Sequence, residues 1–100
     1  MQVVYVLRWT ESEAGWGCRP DGISVHFSRE AVQQYVDDHW VRMKEMYGDE
    51  TPHEYSHADA NDAYPAKLCR EHCDERILKQ VMKEESFRDW RNNPKYIEKL

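Results

Sequence analysis

One hundred residues suffice for a single compact domain, residues 1–100, with a modest core, and 40% apolar against 33% charged residues, with four Trp and six Tyr, is too aromatic a mixture for a disordered chain. The formal net charge of -5 argues against a nucleic-acid-binding protein, which needs a surplus of Lys and Arg to displace counterions. Three cysteines with no disulfide framework point to a reducing compartment, so a cytoplasmic protein is expected, and the short apolar run from Val3 to Leu7 is neither a signal peptide nor a membrane span.

Val3 to Trp9 reads as a central strand, because β-branched and aromatic residues occupy both of its faces. Gly22 to Phe27 alternates, with Ile23, Val25 and Phe27 on an apolar face and Ser24 and His26 on a polar one, and predicts an antiparallel partner for the first strand. Arg19-Pro20-Asp21-Gly22 is the expected reversal between them, with Pro setting the first turn angle and Gly the positive φ. Ser28 then caps a helix from Arg29 to Tyr47, stopped by Gly48. Its stripe Val32, Tyr35, Val36, Trp40, Met43 and Tyr47 is expected to pack on Ile23, Val25 and Phe27. His39 sits within that stripe as a packed histidine.

Residues 49–65 form an acidic loop, since Asp49, Glu50, Glu54, Asp59 and Asp62 have no Lys or Arg among them up to Tyr64. A short strand near Tyr64 fits, followed by a second helix over Ala66 to Lys83. The tail reads as two helical turns broken at Asn92-Asn93-Pro94, with Tyr96, Ile97 and Leu100 docking back on the body. Arg88, Trp90, Arg91, Lys95, Tyr96 and Lys99 interleave bases with aromatics as single-strand binders do. The expectation preferred here is that this tail neutralises the acidic loop. The predicted fold is α+β: a small antiparallel sheet built on the hairpin Val3–Trp9 and Gly22–Phe27, covered by an amphipathic helix, with a helical C-terminal half.

Within the acidic loop, His53-Glu54-Tyr55-Ser56-His57 matches H-E-x-x-H. On a helix started by Thr51 and Pro52, His53 and His57 would share a zinc ion and Glu54 would act as general base on its water, as in the zincin families this motif resembles. The third ligand is missing at metzincin spacing, where Ala60 and Ala63 stand; Glu84 or Glu85 lies at a gluzincin distance without the usual flanks. Cys69 and Cys73 around His72 have the composition of a metal half-site, but burial as small apolar residues explains them. Trp16 between Gly15 and Gly17, with Arg19 and Asp21 beside it, reads either as an interface anchor or as a side chain folded back over the sheet edge. With the acids Asp49, Glu50, Asp59 and Asp62, these residues predict a small accessory protein, an inhibitor or adaptor that binds a protein partner without cofactor or catalysis. The alternatives are a zinc hydrolase using His53, Glu54 and His57, and an acidic decoy for a nucleic-acid-binding protein. Assembly with a second copy stays open.

Overall fold

In the computed structural model, which describes residues 1–100, strand β1 spans Gln2–Glu13 and is the axis on which the sheet is built. Its apolar run is buried on both faces, Val4 and Val6 on one side and Leu7 and Trp9 on the other. Strand β2, Gly17–His26, pairs along one edge. The other edge is shared: β3, Glu54–His57, takes the distal Thr10–Glu13, and β4, Tyr64–Leu68, takes the proximal Gln2–Val6. Short strands β5, Phe87–Asp89, and β6, Ile97–Lys99, close the outer sides of β2 and β4. All pairings are antiparallel, in the order β5-β2-β1-β4-β6.

Helix α1, Arg29–Tyr47, begins where the Ser28 hydroxyl accepts the Ala31 N–H and ends at Gly48, whose N–H reaches the Lys44 carbonyl. It lays Val32 and Val36 on Leu7 and Trp9. Helix α2, Glu75–Lys83, is capped by the Asp74 carboxylate on the Ile77 N–H and places Ile77 and Val81 against Val4, Val6, Ile23, Val25, Ala66 and Leu68. The sheet is thus covered on both faces, by α1 on one and by α2 with Tyr96 and Phe87 on the other.

The α+β class with an amphipathic helix stands; the helical C-terminal half does not. That half contains β3, β4, β5 and β6, one helix of nine residues and two single 3-10 turns, Ala60–Asp62 and Arg70–His72. Residues 66–68 extend because the proximal edge of β1 is open and Ala66 and Leu68 alternate inward, so pairing overrides helical propensity. Cys69 and Cys73 flank the second 3-10 turn rather than one helix. In the tail Tyr96 docks as expected, while Leu100 stays exposed. The helix α1 also covers the opposite face from the one anticipated. Ser24 and His26, taken as the solvent side of their strand, lie fully buried beneath it, and Ile23 and Val25 face α2.

The reversal between β1 and β2 is likewise displaced from Pro20 to the short loop Ala14–Trp16, closed by the Trp16 N–H on the Glu13 carbonyl. Pro20-Asp21-Gly22 instead forms a bulge within β2, where the register slips opposite Trp9. Proline is tolerated there because the outer side of β2 has no partner before Ile23. Gly22 is required twice over: its φ is 77°, and a Cβ would stand 2.3 Å from the Asp89 carbonyl oxygen and 2.6 Å from Trp90 Cα. Gly22→Ala should therefore cost about 2 kcal/mol or more in urea unfolding; an unchanged midpoint would show that β5 is free to move away.

Candidate functional site

Polar side chains buried under α1 form a connected network. The Trp9 indole N–H donates to Ser24 Oγ at 2.7 Å, and His26 bridges Ser24 Oγ at 2.7 Å and Ser86 Oγ at 2.8 Å. Burial pushes His26 down to about 4, so the imidazole is neutral, one nitrogen accepting and the other donating. Beside it, the Arg88 guanidinium is stacked between the rings of Trp9 and Trp90, at 4.4 and 4.2 Å. One Nη donates to the Asp21 carbonyl and carboxylate and to Ser56 Oγ, at 2.7, 3.1 and 2.8 Å. Nε is buried with no partner. Burial lowers the Arg88 pKa, Asp21 and Tyr35 oppose that shift, and the two indole faces add a cation–π contact on either side.

The H-E-x-x-H motif lies on β3 and its approach, not on a helix. A strand advances about 3.3 Å per residue, so residues four apart stand about 13 Å apart instead of stacking one helical turn apart. His53 Nε2 faces the Glu13 carboxylate at 3.7 Å, and His57 Nε2 lies 2.6 Å from Ser12 Oγ. Glu54 is exposed, paired in register with Glu13, and is not set between two ligands. No three His, Cys, Asp or Glu side chains gather as a metal would require. The local cap at Thr51 and Pro52 loses to the strand because the open edge of β1 offers ladder pairing and His39 Nε2–H donates to the Ser56 carbonyl at 2.7 Å.

The anticipated interface residues disperse. Trp16 is 80% exposed at the hairpin tip, and Arg19 reaches back to Glu11 at 2.7 Å. Asp21 is spent internally on Arg88. Asp59 caps the first 3-10 turn through the Asn61 N–H, and Asp62 lies within that turn. The tail does not neutralise the acidic segment: Arg91 pairs with Asp89 and Asp74, and Lys95 and Lys99 form no ion pair. Of the tail bases, Arg88 alone contacts the segment, through Ser56. Burial pushes the Cys69 and Cys73 thiols up, which makes both poor nucleophiles.

What does converge is a cleft of about 350 Å³ between the end of α1 and the segment leading into β3, lined by Trp40, Met43, Asp49, Glu50, Pro52 and Tyr55 among others. Trp40 and Tyr55 meet in its wall at 6.5 Å, and each continues into a histidine beyond the cleft, Trp40 into His39 at 5.1 Å and Tyr55 into His57 at 5.2 Å. Sequence reading anticipated Asp49 and Glu50 from local charge but placed Trp40 in the core. Pro52 and Tyr55 entered the reading only through the zinc motif. Comparisons with protein families, with curated proteins and with solved structures bring no match to this chain.

The buried network predicts acid sensitivity. The unfolded His26 titrates near 6.5 and the folded one near 4, so its contribution is complete above pH 6.5 and is lost as pH falls toward 4, amounting to about 3 kcal/mol. Burial would raise Asp89, yet hydrogen bonds from Arg91 and Tyr96 hold it below its ordinary 3.8, so its loss belongs to lower pH. Urea unfolding of the protein and of His26→Gln between pH 7 and 4 checks this: the difference between the two should shrink toward acid, and a constant difference would refute the assignment.

Proposed function

We propose that the protein is a non-enzymatic accessory protein, of the stoichiometric inhibitor or adaptor kind, that holds a basic, apolar segment of a protein partner in the cleft at the end of α1. The observation that carries this reading is the uncovered end of the helix. Beyond Val36 its apolar residues leave the sheet: Trp40 and Tyr47 are 42% exposed, Val41 55% and Met46 70%. A soluble surface gains nothing from such a concentration unless something covers it. Trp40 and Tyr55 are rigid amphipathic side chains of the type that dominates interface energetics, and Met43 and Met46 adapt to irregular apolar partners.

Charge selects the chemistry of the partner. From residue 37 to residue 54 the acids Asp37, Asp38, Glu45, Asp49, Glu50 and Glu54 face only Arg42 and Lys44. Such a field favours Lys or Arg around an apolar stripe, and it opposes a second copy, which would bring the same acids together. Trp16 supplies a further exposed anchor at the hairpin tip. A cytoplasmic, reducing setting suits the free thiols Cys18, Cys69 and Cys73.

Titration of the labelled protein with a synthetic amphipathic peptide of Leu and Lys, followed by amide NMR, tests the reading. Saturable shifts should centre on Met43 to Tyr55 and weaken with salt. Trp40→Ala should reduce affinity by about fivefold or more, equivalent to about 1 kcal/mol, and Glu50→Lys should also reduce it. Equal binding of a Leu and Glu peptide, or no effect of either substitution, would sink the proposal.

A further inference from the structure

On the face opposite α1, the tail leaves a second groove, of about 300 Å³, whose lining includes Arg8, Tyr64, Asn92, Asn93, Lys95 and Lys99. A contiguous cleft of about 200 Å³ shares Arg8 and both asparagines. None of the residues lining either is acidic. That is unexpected in a chain of net charge -5, and the fold accounts for it. Along β6 the side chains alternate, so Lys99 faces the groove with Ile97 while Glu98 turns to Lys67 on β4. The bulge at Gly22 sends Asp21 to Arg88 under α1, and Asp89 is buried against Arg91 and Tyr96. Asp21, Asp89 and Glu98 are thereby committed elsewhere.

The three cations are not. Arg8, Lys95 and Lys99 make no ion pair and no side-chain hydrogen bond, whereas Arg19, Arg88 and Arg91 all do. Asn92 is pre-positioned: its Oδ1 accepts the Gly22 N–H at 2.7 Å, which leaves the amide NH₂ to donate outward. Arg8 lies over the Tyr64 ring at 5.8 Å, so one wall pairs a planar guanidinium with an aromatic ring.

We propose that this groove binds a small phosphate-bearing ligand with a planar ring, of the nucleoside monophosphate class. Lys95 and Lys99 surround the phosphate, the asparagine amides donate to it or to the sugar hydroxyls, and the ring stacks on the Arg8 guanidinium that lies over Tyr64. The size matches: clefts of about 300 Å³ and above hold ligands of this kind. A nucleic-acid strand does not fit, since three free cations meet one or two phosphates and an extended contact needs about six or more. The groove is independent of the cleft beside α1.

Adenosine 5′-monophosphate, inorganic phosphate and adenosine, each titrated into the labelled protein at low salt, provide the test. Adenosine 5′-monophosphate should shift the amides of Arg8, Tyr64 and Asn92 to Lys95 saturably, with affinity at least tenfold above that of phosphate or adenosine. The exposed double substitution Lys95→Gln and Lys99→Gln should weaken it at least tenfold while leaving the thermal midpoint unchanged. Shifts elsewhere only, equal affinity for phosphate alone, or unaltered binding by the double variant would overturn the proposal. Tighter binding of a phosphoserine peptide than of adenosine 5′-monophosphate would also overturn it, because the Tyr64 wall would then play no part.

Discussion

The Arg88 side chain ties the molecule together. It leaves β5, crosses the bulge of β2 where Asp21 receives it, passes between the indoles of Trp9 and Trp90, and ends on Ser56 of β3. Four strands separated in sequence thus meet at one cation. Burial of such a group is costly unless its charge is compensated, and here the compensation comes from one carboxylate, one carbonyl, one hydroxyl and two aromatic faces. The Trp9 ring has a second role, since its N–H anchors the chain through Ser24 to His26 and Ser86. The core under α1 is therefore polar and specific in geometry, while the core under α2 is mainly apolar packing, with Ile77 and Val81 seated on the valines of β1 and one buried polar pair, Tyr96 on Asp89, beside them.

This division has consequences for the surface. Because α1 is held by Val32, Val36 and the His39 bond to β3, its C-terminal turns project past the sheet with Trp40, Val41, Met46 and Tyr47 left uncovered. Because the bulge directs Asp21 inward, the other face keeps an unopposed set of bases. The acidic, aromatic end thus follows from how α1 is seated, and the basic groove from the bulge at Gly22 with β5 packed against it. Charges that the sequence presents as a simple acidic middle and basic end are re-sorted by the strands into internal pairs and two exposed remnants of opposite sign.

Local chemistry made part of this legible. Ser28 and Gly48 bound α1 because capping satisfies the orphan groups at helix ends, and that requirement is met by neighbours in the chain. The alternation of Ile23 to Phe27 and the double-faced apolar run of β1 identify strands because pleating imposes a period of two. By contrast β3, β5 and β6 are only three or four residues long and carry no periodicity of their own. They are strands because unfilled edges of β1, β2 and β4 lie within reach, and an unpaired edge is satisfied by whatever backbone arrives. The same competition dissolved the histidine motif, whose helical reading needed only a good cap, and the predicted turn at Pro20 to Gly22, whose residues serve a bulge equally well.

Composition, charge and short-range pattern were enough to establish an α+β chain with a paired N-terminal hairpin, one long capped helix and a local excess of acid in residues 49–65. Which face α1 covers, which arginine is buried, and where clefts open depended on tertiary packing. A one-sided strand and a stripe on a helix specify that they must be covered, not by what; that choice is made when Trp9, His26 and Arg88, distant in sequence, find partners in a common interior.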